Sequence, residues 1–407
     1  MKRRETKRME AAMAENGKGR FGGREVVIVE VVRIPIGRGH AEKGYYRDVH
    51  PSNLLAKVFS EVIARAGIDP AEVEDVVAGC VQQFGEQGLN IGRNAWLEAG
   101  LPMETPATTV DRQCGSAQQA VNFAAALIAS GVHDAMIGGG VEHMGHISFA
   151  DSFAVMQEHG MAFSPQLMER YDLVPQGISA EMIADKWEIP RSELDELGLR
   201  SHQLAARATE EGRFEREIVP FSVNGDTYVT DQGIRPDTSL EKLSQLKPAF
   251  KEDGKVTAGN SSQVSDGAAA VLLMAREKAD ALGLKPRARI YDQTTVGVDP
   301  VIMLTGPIPA TRKLLERNGM TMDDIDLVEI NEAFASVVAA WRRELEPDMD
   351  RVNVNGGAIA LGHPLGSTGA RLITTLLHEM ERSDKEMGLV TMCCGGGLGT
   401  GTLIQRI

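Results

Sequence analysis

Residues 108–140 read TTVDRQCGSAQQAVNFAAALIASGVHDAMIGGG and contain one complete unit of α/β structure. The β-branched residues at the start predict a short strand that ends in the polar turn before Cys114. Small and apolar side chains recur at helical spacing from 117 to 128, which predicts a buried helix that ends at Gly131. A second short strand at 135–137 then runs into three glycines.

The same order of elements recurs near the C-terminus. Residues 352–354 predict a strand, a glycine-rich turn follows, and a helix is expected from about 367 to 381. Residues 389–393 predict the next strand, and three more glycines follow at 395–397. We interpret this as a degenerate duplication in an α/β protein, with sheets side by side and helices shared between them. Functional residues are expected where strand ends from both halves meet.

The segment between the two units has a different composition. It is richer in methionine and charged residues and has few predicted strands, which indicates an inserted loop domain that acts as a lid. The predicted division is a disordered basic tail at 1–24, an N-terminal half at 25–147 plus 259–285, the inserted domain at 148–258 and a C-terminal half at 286–407.

The composition is that of an ordinary globular protein, with 43% hydrophobic and 25% charged residues. The formal net charge is −14, although the first 24 residues carry eight Lys and Arg against three Glu. An acidic body argues against nucleic acid as the main partner, and no apolar run is long enough to predict a membrane span. Four cysteines in 407 residues are too few for a disulfide framework, so we expect a reducing compartment, the cytoplasm.

Cys114 stands between a predicted strand and the start of a predicted helix. Free backbone N–H groups and the positive end of the helix favour a thiolate there, so they should lower the pKa of this thiol. Gly115 would let a substrate approach the backbone closely. From position alone, a small cysteine buried in the core is the competing interpretation.

Other candidate groups follow strands in the second half. His363 lies in the glycine-rich turn, where an imidazole could take the proton of a thiol. Cys393 and Cys394 precede glycines whose N–H groups could bind an oxyanion. Because neighbouring residues of a strand face opposite sides, only one of these cysteines can face a site. Asn331 is either a helix cap or a hydrogen-bond donor to a reacting group.

Five motifs resemble those of the thiolase family and occur in the family's order. They are DRQCGSA at 111–117, VTAGNSS at 256–262 with DGAA at 266–269, NEAFA at 331–335, GHPLG at 362–366 and CCGGG at 393–397. Each motif alone is moderately specific, whereas all five at these spacings are very specific. The resemblance covers the chain from about residue 33 onward. It implies a thiolase fold, in which two duplicated βαβαβαββ halves form a layered αβαβα core with an inserted loop domain.

The resemblance also implies roles for the matching residues. Cys114 would be the acylated nucleophile, His363 its activating base and Cys393 the second acid/base. Asn331, through a water, and His363 would bind the thioester oxygen of the enolate. The backbone N–H groups of Cys114 and Gly395 would bind the oxygen of the covalent adduct.

Three further matches concern the substrate. Ser262 would contact the pantetheine of coenzyme A, and Arg235 would lie near its adenosine phosphate. Gln176 stands where biosynthetic members often have methionine, among the contacts to the acyl group. Coenzyme A would be a substrate, with no permanently bound cofactor and no metal. The resemblance further implies acyl-CoA substrates and a homodimer or homotetramer.

The expected function is that of a degradative 3-ketoacyl-CoA thiolase, because CVQQFGEQ at 80–87 and Gly145-His146 look most like degradative, actinobacterial members that act on fatty or steroid-derived acyl-CoAs. An acetyl-CoA C-acetyltransferase that makes or cleaves acetoacetyl-CoA is the alternative within the family. Outside it remain a decarboxylating synthase of the same fold, a non-catalytic lipid-binding protein, and a metalloenzyme that uses Glu142, His143 and His146.

Overall fold

The structure is a computed structural model, and it describes residues 24–407. The predicted disordered tail therefore lies outside the described residues except for Arg24. The guanidinium of Arg24 forms ion pairs with the carboxylates of Asp134 and Glu277. The contacts of the folded body thus begin no later than Arg24.

The centre of the molecule is a ten-stranded mixed sheet to which both halves contribute. Its strands follow the β-branched and apolar runs of the sequence, and most are buried on both faces. A separate two-stranded hairpin, β6–β7, lies outside it. The strands are β1 (Val26–Arg33), β2 (Gly37–Arg38), β3 (Asp75–Gly79), β4 (Ala107–Val110), β5 (Ala135–His143), β6 (Phe221–Val223), β7 (Asp226–Tyr228), β8 (Ser265–Ala275), β9 (Ala288–Gly297), β10 (Leu327–Ile330), β11 (Met387–Cys394) and β12 (Leu398–Arg406).

The strand order shows how the two halves join. It runs β10-β11-β12-β9-β1-β8-β5-β3-β4, with β2 paired to β8 beside this path. The junction between β9 and β1 consists of two residue pairs, Val27 with Arg289 and Ile28 with Ala288. Strands of the second half therefore lie on one side of this short junction and strands of the first half on the other.

The helices are arranged around and between these two groups of strands. They are α1 (Pro51–Ala66), α2 (Ile91–Glu98), α3 (Ser116–Ala129), α4 (Phe149–His159), α5 (Pro165–Arg170), α6 (Gln176–Lys186), α7 (Arg191–Glu210), α8 (Leu240–Ser244), α9 (Arg276–Ala281), α10 (Pro307–Asn318), α11 (Ala335–Leu345), α12 (Ala358–Leu361) and α13 (Thr368–Arg382). α3 is the helix predicted after the turn that carries Cys114, and α13 is the helix predicted after the turn that carries His363.

α3 and α13 form the middle layer of the molecule. Val121 of α3 and Ile373 of α13 share one buried core with Val271 of β8 and Val390 of β11. The helices α1 and α2 cover the outer face of the first half, whereas α10 and α11 cover the outer face of the second. The order of layers is therefore αβαβα, and the predicted fold class is confirmed.

The segment between the halves is mainly helical and irregular. In residues 148–258, all of which the structure describes, no strand joins the main sheet. The helices α6 and α7 pack on the second half through Ile183 and Leu194, which share a core with Val338 of α11. The domain boundaries themselves remain a prediction. Among residues 24–407, none of the helices has the length and hydrophobicity that a membrane crossing requires.

Candidate active site

Cys114 lies in the turn between β4 and α3, where its side chain is almost completely buried. Polar side chains hold this turn in place. The Asp111 carboxylate accepts the N–H of Gln113 at 2.6 Å, and the Ser116 hydroxyl accepts the N–H of Arg112 at 2.9 Å. Gln113 itself has a φ of 50°, a conformation that side chains rarely adopt. The turn thus places the sulfur at the start of α3 in a fixed position.

Burial, and not the helix terminus, controls the protonation of Cys114. Burial raises the pKa of this thiol to about 11, although the N–H of Gly395 donates a hydrogen bond to the sulfur and opposes the shift. The charges of Glu142 and Asp111 raise the pKa further. The prediction of a lowered pKa is therefore wrong, because the free-energy cost of burying a thiolate exceeds the stabilisation that the helix end and the N–H groups give it.

His363 is buried, and both of its ring nitrogens have neutral partners. Nδ1 lies 2.7 Å from the hydroxyl of Thr368, which itself donates to the carbonyl of Pro364 at 2.8 Å. The hydroxyl must therefore accept the proton of Nδ1. Nε2 remains as an acceptor, and it lies 3.2 Å from the side-chain amide of Asn331. Burial and the charge of Arg371 lower the pKa of His363 to about 3, so the ring is a neutral base.

The two neighbouring cysteines at the end of β11 face opposite sides, as the extended backbone requires. Cys393 shares a buried core with Phe334, and burial together with the nearby thiols of Cys114 and Cys394 raises its pKa well above the usual value. Asn331 donates its N–H to Thr391 at 3.1 Å. The Asn331–His363 pair therefore lies beside the strand that carries Cys393.

Cys394 occupies a separate space beside Gly115. A Cβ atom at Gly115 would lie 2.7 Å from the sulfur of Cys394 and 2.9 Å from the Cγ2 of Thr400, which is too close for either contact. Gly115 therefore makes room for Cys394, and the expectation that it also lets a substrate approach the backbone stays a prediction. Cys394 therefore packs against this turn, and of the two neighbouring cysteines Cys393 is left as the candidate that faces the site.

The glycines after Cys394 are surrounded by polar side chains. A Cβ atom at Gly395 would lie 2.7 Å from the amide nitrogen of Gln176 and 3.1 Å from the amide oxygen of Gln113. The N–H of Gly395 is directed at Cys114, as described above. Gln176 begins α6, so this helix brings a residue of the inserted segment to the cysteines.

A cavity of about 570 Å³ opens above these groups. Of the predicted site residues, His363, Ser262 and Gln176 line it, whereas Cys114 and Cys393 are buried and do not line it. Arg235 is exposed to solvent and does not line the cavity. Most of the remaining lining is apolar and comes from Met144, Phe149, Phe153, Met156, Phe250, Val264, Phe334 and Leu365.

Glu142 has a role that the sequence interpretation missed. Its carboxylate accepts the N–H groups of Val81 at 2.9 Å, Gln82 at 3.1 Å and Gly366 at 2.8 Å, so it ties the first half to the turn that carries His363. His143, its neighbour on β5, bonds instead to the carbonyl of Tyr46. Within residues 24–407 no group of three His, Cys, Asp or Glu residues is placed to hold a metal ion, so the metalloenzyme alternative gains no support from the described residues.

Thr368 and Arg371 are also absent from the candidates that the sequence suggests. A threonine and an arginine in the first turns of a helix are ordinary residues, so only the fold shows that one bonds to His363 and the other acts on its charge. The motif GHPLG ends two residues before Thr368. No local signal in the sequence identifies either residue.

A layered, duplicated α/β fold in which both halves contribute to a group of buried thiols and an imidazole is suited to the class of enzymes that transfer acyl groups through a cysteine. Two family descriptions match nearly the whole body: "Thiolase, N-terminal domain" at residues 26–277 and "Thiolase, C-terminal domain" at residues 284–406. The chain belongs to the thiolase family.

Relatives in this family resemble the chain over almost its full length. A steroid 3-ketoacyl-CoA thiolase of Mycobacterium tuberculosis is 46% identical over 390 residues, which cover 94% of each chain. A 3-ketoacyl-CoA thiolase of Aeromonas salmonicida is 45% identical over 396 residues, 94% of this chain and 100% of the relative. The crystal structure of an acetyl-CoA acetyltransferase of Bacillus anthracis matches with a TM-score of 0.85 and 39% identity, over 94% of this chain and 99% of that one. The thiolase fold is thereby confirmed.

Proposed function

We propose that this chain is a degradative 3-ketoacyl-CoA thiolase, which cleaves 3-ketoacyl-CoA with coenzyme A to acetyl-CoA and a shortened acyl-CoA. Thiolases are acyltransferases, and the relatives with this printed activity support the assignment. The observation that carries it is a neutral imidazole in the lining of an apolar cavity, together with two buried thiols, one of which accepts a hydrogen bond from Gly395 beside the lining residue Gln176. Cleavage and transfer need a nucleophile and two acid/base groups, and Cys114, His363 and Cys393 can supply them.

The first half-reaction makes an acyl-cysteine. The proton of Cys114 moves to Nε2 of His363, and the sulfur attacks the 3-keto carbon of the substrate. The bond between C2 and C3 then breaks, C2 takes the proton of Cys393, and acetyl-CoA leaves. The N–H of Gly395 already donates a hydrogen bond to this sulfur, which supports a role for Gly395 in stabilising the oxygen of the adduct.

The second half-reaction releases the shortened acyl-CoA. The thiol of coenzyme A gives its proton to the thiolate of Cys393, and its sulfur attacks the acyl carbon. His363 then returns its proton to the sulfur of Cys114. Asn331 would assist the enolate step through a water, because its Oδ1 is buried without a hydrogen-bond partner among residues 24–407 and can accept one proton of a water that donates the other to the enolate oxygen.

The size of the cavity supports an acyl group larger than acetoacetyl. Its volume of about 570 Å³ falls within the roughly 300–1,000 Å³ of sites that hold drug-sized molecules. Phe149 and Phe153, both 54% exposed, present apolar surface toward it. A fatty or steroid-derived acyl group would cover this surface, whereas an acetoacetyl group would leave most of it in contact with water.

The proposal also covers the contacts to coenzyme A, the compartment in which the enzyme acts and its assembly. Ser262 lines the cavity and would contact pantetheine, whereas Arg235 would meet the adenosine phosphate at the surface. No permanently bound cofactor is required by the two half-reactions. Four free cysteines are compatible with the cytoplasm, and a homodimer or homotetramer is the assembly that we propose.

The test is a steady-state thiolysis assay on 3-ketoacyl-CoAs of increasing chain length and on a bulky polycyclic analogue. Cys114→Ala should abolish thiolysis, and Cys393→Ala should lower it by roughly 10²–10⁴-fold, the usual contribution of an acid/base group. Cys394→Ala is the matched control, since its thiol faces Gly115, and it should retain most activity. Acetoacetyl-CoA as the best substrate would favour the acetyltransferase alternative, whereas folded wild type without thiolysis on any substrate would contradict the proposal.

A further inference from the structure

Gln263 lies two residues before strand β8 and lines the same cavity as His363. The nitrogen of its side-chain amide, Nε2, lies 2.9 Å from the carbonyl of Gly233, 2.9 Å from that of Ile359 and 3.0 Å from that of Ala360. This amide has two N–H groups, so at least one of them is shared between two carbonyls. The two half-reactions described above give this residue no role.

Two of the three carbonyls belong to the short helix α12, which ends just before His363. The last carbonyls of a helix have no N–H donor within the helix. The carbonyl of Ala360 would need the N–H of the residue four positions later, which is Pro364 and has none. The carbonyl of Ile359 would need the N–H of His363, but this group is directed at the main-chain carbonyl of Gln263 at 3.3 Å. The side chain of Gln263 therefore supplies the donors that α12 lacks.

The segment 263–265 also holds the main chain of His363. The N–H of His363 lies 3.1 Å from the hydroxyl oxygen of Ser265, and this hydroxyl donates to the carbonyl of Gln263 at 2.8 Å. Gly362, with a φ of 111°, makes this contact possible, since a Cβ atom there would overlap the hydroxyl of Ser265. The position of Gln263 thus determines where the turn, and with it the imidazole, lies.

The third carbonyl, that of Gly233, belongs to the loop that carries Arg235. A Cβ atom at Gly233 would lie 2.6 Å from the carbonyl oxygen of Ala360, so glycine lets this loop approach α12 closely. The loop is fixed just after this glycine, because the N–H of Arg235 donates to Nδ1 of His202 at 3.2 Å. The side chain of Arg235 itself is exposed. One amide group therefore connects the loop of Arg235 with the turn of His363.

We propose that Gln263 is a positioning residue that holds the turn of His363 against the loop of Arg235, so that binding of the nucleotide end of coenzyme A aligns the base with Cys114. The inference rests on the roles proposed above for these residues. A phosphate bound at Arg235 fixes the loop, and the amide of Gln263 carries this constraint to the carbonyls of α12. Binding energy from a part of the substrate that does not react then contributes to kcat as well as to affinity.

The first test is hydrogen exchange of the full chain, followed by peptide mass spectrometry without turnover. The probes are coenzyme A and 4′-phosphopantetheine, which lacks the adenosine end. In the wild type, coenzyme A should slow exchange in residues 229–238 and 355–363 more than phosphopantetheine does. Gln263→Met keeps the length of the side chain but has no N–H donor. In this variant coenzyme A should still protect 229–238, whereas protection of 355–363 should fall to the level that phosphopantetheine gives.

Two outcomes of this exchange experiment separate the inference from the proposed function. Equal protection of residues 355–363 by coenzyme A in the wild type and in Gln263→Met would overturn the inference and leave the proposed function intact. A wild type that does not bind coenzyme A would contradict the proposed function, and the inference with it.

The second test measures the first half-reaction in a single turnover, with one 3-ketoacyl group carried either by coenzyme A or by pantetheine. In the wild type, loss of the nucleotide should lower the saturating rate as well as the affinity. Gln263→Met should lower the saturating rate with the coenzyme A substrate by about 10²-fold, as a base misplaced by about 1 Å does. Loss of the nucleotide should then lower only the affinity. The same decrease in saturating rate on truncation in both proteins would contradict the connection.

Gln263→Glu distinguishes hydrogen bonding from packing. The carboxylate that it introduces can only accept hydrogen bonds, whereas the protonated carboxyl can donate one to the carbonyls. The saturating rate of Gln263→Glu, divided by that of Gln263→Met, should therefore rise as pH falls from 8 to 5, and a constant ratio would overturn the proposal. Gln245→Met makes the same substitution at an exposed glutamine and should retain the wild-type rates and protection. If Gln263→Met does not fold, the pH dependence of Gln263→Glu relative to the wild type decides.

Discussion

The candidate centre combines groups that are neutral at rest. Burial raises the pKa of Cys114 to about 11 and lowers that of His363 to about 3, so the thiol and the imidazole coexist without forming an ion pair. A substrate oxygen that accepts hydrogen bonds at the site would change this balance, because it stabilises the negative charge that leaves the sulfur. Activation of the nucleophile would therefore accompany attack on the substrate.

The close packing of Gly115 against Cys394 leads to a prediction for the effect of adding one methyl group at residue 115. Gly115→Ala should destabilise the protein by about 1–3 kcal/mol, as overpacking of a core usually does, and should reduce thiolysis by moving Cys114. Because the added Cβ would meet the sulfur of Cys394 first, Gly115→Ala combined with Cys394→Ala should regain part of both losses. Urea unfolding and thiolysis of the four combinations measure this, and strict additivity of the two substitutions would contradict the explanation.

At the scale of single residues, the sequence predicts which residues belong to the candidate site better than it predicts what surrounds them. Cys114, Cys393 and His363 stand in motifs whose letters alone indicate chemistry. The direction of the Cys114 pKa could not be predicted, because it depends on how completely distant segments bury the sulfur. Thr368 is an ordinary helical residue until the turn at Pro364 folds back and brings His363 to it.

The helix α4 forms one wall of the cavity. Phe149, Ser152, Phe153 and Met156 line the cavity at the spacing of one helical face. α4 contains no buried residue, and the hydroxyl of Ser152 donates to the side chain of Gln82 at 2.7 Å. Its apolar face therefore lacks the protein packing that most helices have, and the acyl group is the partner that our proposal gives it.

Shortening one side chain of α4 should change substrate preference. Phe153→Ala removes an aromatic ring from the cavity wall, so kcat/KM should rise for bulky acyl groups relative to medium-chain ones. Thiolysis of acetoacetyl-CoA should change little, because a short acyl group does not reach this helix. Competition between two acyl-CoAs in one assay measures the ratio directly. An equal change for all chain lengths would indicate damage to the fold and not a role in specificity.

His143, at the end of β5, and Asp266 of β8 form a buried titratable pair with a predictable effect on stability. Burial raises the pKa of Asp266 to about 7 and lowers that of His143 to about 4, and their side chains lie 3.3 Å apart. The raised carboxyl pKa means that the folded state binds an extra proton, so this stability is present at low pH and is lost as pH rises through about 7. The lowered imidazole pKa acts oppositely, since it reduces stability as pH falls from 6.5 toward 4.

Asp266→Asn should isolate the first of these effects. The variant lacks the ionisation, so relative to wild type its free energy of unfolding should increase from pH 5 to pH 8, at most by about 1.4 kcal/mol per pH unit. Urea unfolding at both pH values measures the difference. His143→Gln serves as the comparison, because its difference from wild type should appear below pH 6.5 instead. An Asp266→Asn difference that is constant with pH would exclude the ionisation as its source.

The duplication could be predicted from the sequence because each half repeats strand, turn, helix, strand and glycines. The junction between the halves could not be predicted, since the pairing of Val27 and Ile28 with β9 has no sequence motif. The hydrogen bonds of Glu142 to Val81, Gln82 and Gly366 could not be predicted from the sequence for a similar reason. Contacts between the repeats depend on how the repeats pack, which a pattern within one repeat does not specify.

The shared middle layer predicts that the two halves unfold together. α3 of the first half and α13 of the second bury their apolar faces in one core, so neither half retains its core without the other. Hydrogen exchange at increasing urea tests this. Peptides from β8 and β11 should lose protection at the same urea concentration, whereas earlier loss in one of them would show that the halves are separate units of stability.

The long separation of Cys114 and Cys393 in the sequence affects when the candidate centre can assemble during translation. Cys114 is synthesised early, but the strand that carries Cys393 pairs with β12, which ends almost at the last residue. A nascent chain on the ribosome therefore displays the apolar faces of α3 and its neighbours long before their partners exist. A product that terminates before Cys393 therefore lacks one of the candidate acid/base groups, however well its first half folds.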